Sequence, residues 1–202
     1  MNTFAILRLV VIKGRVDSPA IAESLGLPVE QVDDYTTALT TEGHLKQTPA
    51  GYRATPQGRD HANELVTQER AAADSDAVDA AYSEFCVINS DFKALITDWQ
   101  LRGGTPNDHS DTAYDADVLD RLRELHHKVR PLIERIGALT ERLTMYGPRL
   151  DRALQQISNG DLAYVARPIM DSYHTVWFEL HEDLIGLAGL TRADEAAAGR
   201  GA

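Results

Sequence analysis

The chain has 202 residues, 43% apolar and 6% aromatic, with 20 Lys+Arg against 31 Asp+Glu and a single cysteine. That length holds one large or two small domains. Lone Cys86 excludes a disulfide framework and a multi-cysteine zinc site, and no apolar run approaches the roughly 18 residues of a membrane span. The net charge of −11 is uneven, with −1 over residues 1–60 and −10 over residues 61–202, so only the first part suits an approach to nucleic acid. No signal-peptide pattern opens the sequence, and a cytoplasmic protein is expected.

Phe4, Leu7, Val10 and Val11 predict a first helix ending at Gly14. Asp17-Ser18-Pro19 reads as a cap with a proline in the first turn of a short second helix, closed by Gly26. Pro28 opens a third helix, with Val29, Val32 and Leu39 inward and Glu42-Gly43 at its C-terminal cap. Residues 44–48 and 52–54 flank Pro49-Ala50-Gly51 and predict a two-stranded hairpin, after which Thr55-Pro56 caps a further helix. Residues 68–76 are polar and alanine-rich, a junction in which Ser75 or Asp76 caps the next helix.

Beyond the junction the periodicity is helical throughout. Val78, Tyr82, Phe85, Ile88, Phe92, Leu95 and Trp99 stripe one helix, and residues 103–113 form a loop in which Thr112 and Asp115 suggest a variant capping box. Val118, Leu122, Leu125, Val129, Leu132, Ile136, Leu139 and Leu143 alternate at steps of four and three, the stripe of a helix laid lengthwise on others. Pro131 lies inside this stripe and predicts a kink that frees the carbonyl of His127. Gly147-Pro148 is expected to end that helix or the turn after it, and Leu150, Leu154 and Ile157 mark a shorter helix closed by Asn159-Gly160. Leu162, Val165, Ile169, Tyr173, Val176, Leu180, Leu184 and Leu187 then predict one last long helix kinked at Pro168, and from Thr191 the small, polar tail is expected to fray.

Three stretches of the first part resemble the winged helix-turn-helix of bacterial regulators of the MarR, PadR and GntR types. They are Ile21-Ala22-Glu23-Ser24-Leu25-Gly26-Leu27, then Val32, Leu39 and Gly43 followed by Leu45, then Tyr52-Arg53-Ala54-Thr55-Pro56-Gln57-Gly58-Arg59. The resemblance covers about residues 3–68. The expected fold is thus mostly α: a winged helix-turn-helix with a small β-hairpin wing over 1–68, an α-helical bundle over 75–190 for sensing and dimerisation, and a flexible tail over 191–202. The resemblance implies DNA binding, with the third helix in the major groove and the wing on the backbone. Gln31 and Thr37 would face base edges, Asp34 would face or flank phosphate, and Lys46 and Arg53 would meet the backbone. A helical effector domain after the winged helix is the GntR layout, but this chain lacks the Asp/His metal pattern of those domains and the arginines that open their DNA helix.

Histidines recur in the second part, and Glu124/His127 and Asp171/His174 have E-x-x-H and D-x-x-H spacing. Helical phase puts Glu124 and His127 opposite the apolar stripe and Asp171 off the Ile169/Val176/Leu180 line, so neither a metal nor another cofactor is expected. No nucleophile elbow, phosphate loop or dinucleotide fingerprint occurs, and no enzyme is expected. The last helix has a second apolar side, with Met170, Trp177, Phe178 and Ile185 beside His174 and His181. The pattern fits a helix buried on two sides, and it also fits a homodimer interface or a small-molecule pocket near the two prolines. For such a pocket the candidate ligand-binding residues are Trp99, His126, Arg130, Tyr173, His174, Trp177 and His181.

The sequence supports two readings of function. The first is a one-component transcriptional regulator, binding DNA through the winged helix and a ligand through the bundle. The second is a winged-helix adaptor that contacts protein. Glu30, Asp33, Asp34, Thr37 and Thr41 face outward on the third helix, and no Lys or Arg occurs from residue 16 to 45. Residues 171–184, with Trp99-Gln100-Leu101-Arg102 and Pro106-Asn107-Asp108-His109, resemble segments of bacterial phosphoenolpyruvate-utilising dikinase-like proteins. Their phosphorylatable histidine motif and nucleotide site are lacking, so that resemblance implies a partner or regulator of such an enzyme.

Overall fold

The computed structural model describes residues 2–197. The chain opens with helices α1 (Asn2–Lys13), α2 (Ser18–Leu25) and α3 (Val29–Thr41), the strands β1 (Leu45–Thr48) and β2 (Gly51–Ala54), and helix α4 (Pro56–Ala72). Asp17 caps α2 by accepting the amide of Ala20, and Gly26 closes it in the left-handed region that glycine adopts without strain. Thr55 caps α4 by accepting the amide of Gly58. The hairpin is antiparallel, with Leu45 opposite Ala54 and Lys46 opposite Arg53. Val16, in the α1–α2 link, pairs with Tyr52 and adds a third rung to its edge. Ile6, Leu9, Val10, Ile21, Val32 and Leu39 close a core of their own. We call this unit the head. Val29, expected inward, is exposed, because the helix begins there and its first turn points away from α1.

The rest is a helical bundle with a second core. Its elements are α5 (Ser75–Gln100), the two-residue strands β3 (Leu101–Arg102) and β4 (Thr105–Pro106), α6 (Thr112–Leu139), a 3₁₀ turn (Glu141–Met145), α7 (Tyr146–Ser158), α8 (Ala163–Ala166), α9 (Tyr173–Leu187) and α10 (Arg192–Ala197). The expected stripes are the buried faces of α5 and α6, and α6 runs through Pro131 unbroken.

Several boundaries differ from expectation for local reasons. The head's last helix extends to Ala72, and Asp74 caps α5 instead of Ser75 or Asp76. Within the stretch 103–113 lies β4, which pairs back onto β3 just before it, and the cap of α6 is Asp111, which accepts the amides of Ala113 and Tyr114. The central helix ends at Leu139, so Leu143 is buried from the 3₁₀ turn and Gly147-Pro148 lies in the first turn of α7, where a missing amide donor is tolerated.

The largest correction is at Pro168. The last stripe is no continuous kinked helix but α8, a crossing that turns at Pro168-Ile169, and α9. Arg167 is extended, as a residue before proline prefers, and Ser172 starts α9 by accepting the amide of Thr175. Ile169 is therefore not in the core. It is 93% exposed with a φ of +68°, a left-handed conformation that is strained for a β-branched residue. The tail also differs over the part described. Residues 192–197 form α10, whose Glu195 is buried near His181, while the remainder of the expected flexible tail lies outside the described residues.

Helix α9 is the keel of the molecule. Tyr173, Val176, Trp177, Leu180 and Leu184 face the bundle core, while α1 and α4 of the head pack on its other side. Of the second apolar side read from the sequence, Trp177 and Ile185 are thus buried within one chain, while Phe178 stays exposed.

Candidate functional site

The polar groups that join head and bundle are set by α9. Glu179 and Asp183, four residues apart on one face, meet Lys13 and Arg8, five apart on α1. Asp183 is fully buried and accepts from Arg8 Nε at 2.7 Å, Arg142 Nη1 at 2.6 Å and the Tyr146 hydroxyl at 2.6 Å. Arg142 also grips Glu69 of α4 at 2.6 Å. A second knot lies toward the head's α1–α2 link. Asp171 accepts from Lys13 at 2.8 Å, Arg149 at 2.8 Å and the Ser24 hydroxyl at 3.0 Å, and Arg149 also reaches Glu179 at 2.6 Å. Four cations face four carboxylates, so each buried charge is compensated, as burial demands. Burial pushes the Asp183 carboxyl upward, but Arg142, Arg8 and the Tyr146 hydroxyl outweigh it and hold it below the usual carboxylate range. Asp171 is lowered in the same way, by Arg149 and Lys13 against the effect of its burial.

Beside the second knot the head and bundle leave a cleft of about 1010 Å³. The head contributes the end of α1, the link at Gly14–Asp17, the hairpin tip at Pro49–Gly51 and Arg53. The bundle contributes the α8–α9 crossing and the outer face of α9, including Met170, His174 and Phe178. The strained, exposed Ile169 stands at its lip. Burial lowers the pKa of His174 from its ordinary value, which favours a neutral ring on the wall.

Of the seven candidate ligand-binding residues, His174 alone lines this cleft. His126, Arg130 and Tyr173 come together around Asp151: His126 Nε2 lies 3.1 Å and Arg130 Nε 2.9 Å from its carboxylate, and His126 Nδ1 lies 3.2 Å from the Tyr173 hydroxyl. Burial lowers the pKa of His126 against the pull of Asp151. This cluster is filled by its own partners and stands at Pro131, whereas the cleft borders only Pro168. Trp177 is core, stacked on Phe92 at 4.4 Å with its indole N–H on Asn89 at 2.9 Å. His181 is packed against Phe85 in the same core. Trp99 lies far along α5, covered by the ring of His109 at 4.4 Å.

The candidate DNA-binding residues are each exposed on the head: Gln31, Asp34 and Thr37 on α3, and Lys46 and Arg53 opposite one another on the hairpin. Glu124 and His127 are exposed on α6, Asp171 is spent on cations, and no group of three or more metal-ligating side chains occurs among the described residues.

No family model, curated protein or solved structure matches this chain. The junction charges were the residues missed by sequence reasoning. Their signal was present in α9, where Glu179 and Asp183 interrupt a segment apolar on nearly every side; acids on a helix buried all round need partners. Among the described residues no helix is long and apolar enough to cross a membrane.

Proposed function

We propose that the protein is a one-component transcriptional regulator: the head is a winged helix-turn-helix that binds DNA through α3 and the hairpin, and the cleft between head and bundle receives a small-molecule effector. The observation that carries the reading is the hairpin. Lys46 and Arg53 are directly opposite and exposed, and neither has an ion-pair partner among the described residues. Like charges facing across a ladder destabilise it, and a phosphate between them reverses the sign. A single bridge from Val16 to Tyr52 ties the hairpin to the α1–α2 link.

The test is fluorescence anisotropy with two duplexes, one from the region upstream of the protein's own coding sequence and one unrelated, at 50 and 200 mM salt. Lys46→Gln should weaken both duplexes alike and lower the salt slope by about one. Absence of binding to either duplex at 50 mM salt refutes the regulator. A second reading has its own support. The exposed acids Glu30, Asp33 and Asp34 on α3 suit a basic protein surface, and the head is then an adaptor. A homodimer also belongs to the regulator reading. Light scattering at micromolar concentration should then give twice the chain mass.

A further inference from the structure

The charges that line the cleft are not balanced once their partners are counted. Asp171 and Glu179 are taken by Lys13 and Arg149, Glu23 pairs with Arg152, and Asp17 is the cap of α2. Arg15 and Arg53 line the same cleft, and neither has an ion-pair partner among the described residues. Two guanidinium groups are thus uncommitted at the mouth of a cavity in a chain whose net charge is −11. The bundle side supplies Met170 and Phe178 as apolar surface, with Thr175 and His174 among them. Phe178 and Ile169 are two of the few large apolar side chains left exposed. A site with cations on one side and apolar surface on the other is complementary to a ligand of the same asymmetry.

We infer that the cleft binds an amphipathic organic anion, an apolar ring or chain bearing a carboxylate, sulfonate or phosphate, through Arg15 and Arg53, and that this anion and the DNA backbone compete for Arg53. The inference deepens the regulator reading and rests on it for the DNA half. Arg53 stands opposite Lys46 on the hairpin face, yet Arg53 lines the cleft and Lys46 does not. An oxyanion held by Arg53 occupies part of its donor fork and neutralises the charge that a phosphate would meet there, which weakens the second contact. The effector then acts by occupying a DNA-contacting side chain, with no rotation of the head, which the buried charges hold against α9.

The probes are 8-anilinonaphthalene-1-sulfonate and its neutral analogue N-phenyl-1-naphthylamine, with the full chain. The sulfonate should bind once per chain, at least tenfold tighter than the neutral analogue. It should raise the apparent Kd for a fluorescein-labelled duplex linearly with the free sulfonate concentration, without a plateau. Arg53→Gln should weaken both ligands severalfold, and Arg15→Gln should weaken the sulfonate severalfold. Lys46→Gln should weaken the duplex alone, and Phe178→Ala the sulfonate alone. Equal binding of the two probes, or sulfonate binding indifferent to both arginine variants, overturns the anion site. Simultaneous binding of sulfonate and duplex overturns the competition while leaving the regulator standing. A chain that takes the sulfonate through its arginines but no duplex at any salt overturns the regulator reading and, with it, the competition.

Discussion

Replacing Asp183 by Asn tests how the head is held. The change keeps the shape of the side chain and removes its charge. Asp183 accepts three hydrogen bonds, from Arg8, Arg142 and Tyr146, in a position with no exposed surface. Arg142 loses little, because Glu69 still holds it at 2.6 Å. Arg8 is left with the carbonyl of Glu182 at 3.1 Å and no carboxylate, so the cost is that of a buried cation stripped of its counter-ion. Such a loss runs at about 3–5 kcal/mol; the amide oxygen of Asn recovers part of it, and a cost of about 3 kcal/mol is expected. Arg8→Met should cost less, about 1–2 kcal/mol, because Asp183 keeps Arg142 and Tyr146. Urea unfolding, followed by tryptophan fluorescence and by far-ultraviolet circular dichroism, measures both. Trp99 and Trp177 report only on the bundle, so in Asp183→Asn the dichroism should fall ahead of the fluorescence as the undocked head unfolds at lower urea than the bundle. An Asp183→Asn cost below about 1 kcal/mol, or one smaller than that of Arg8→Met, refutes the reasoning.

Asp171 and Asp183 have carboxyl pKa values held below that of the unfolded chain, so their contribution is present above about pH 4 and is lost as pH falls through the folded values. The urea midpoint should therefore drop below about pH 4, and drop less steeply in Asp183→Asn. Ile169→Gly removes a strained left-handed side chain that is 93% exposed, so it should stabilise the chain by about 1 kcal/mol and raise Tm by about 2–4 °C in calorimetry. Gly58→Ala should do the opposite, since a Cβ there would lie 2.0 Å from the carbonyl oxygen of His44; a loss of about 2 kcal/mol or more is expected in the same experiment.

The helical architecture was legible because it rests on local periodicity. The stripe from Val118 to Ile136 is the buried face of α6, and Asp17 and Thr55 cap the helices their positions announced. Pro131 and Pro168 show where local reading stops. Both follow arginine and both sit in an apolar stripe, yet one lies within a helix and the other ends one. Beyond Pro131 the chain continues with Leu132, Ile133 and Ile136, which all bury. Beyond Pro168 come Asp171, drawn out of helical phase by Arg149 and Lys13, and Ser172, a cap. The cleft was illegible for a related reason. Its walls come from segments more than a hundred residues apart, and helical phase along one element carries no record of what another element brings against it. Trp177 and His181 sat on the correct helix, but the side that sequence left open is closed there by Phe85 and Phe92 of α5.

The salt bridge from Arg8 to Asp183 spans 175 residues of sequence. In synthesis from the N-terminus, the head leaves the ribosome with Arg8 and Lys13 still in water, and their counter-ions on α9 emerge only after nearly all the bundle. Head and bundle must then mature as separate folding units, and their docking is a late step of high contact order. Until α9 arrives, the apolar sides of α1 and α4 that it will cover are open to chaperones. A ribosome stalled before residue 171 would release a head able to fold but unable to take its place.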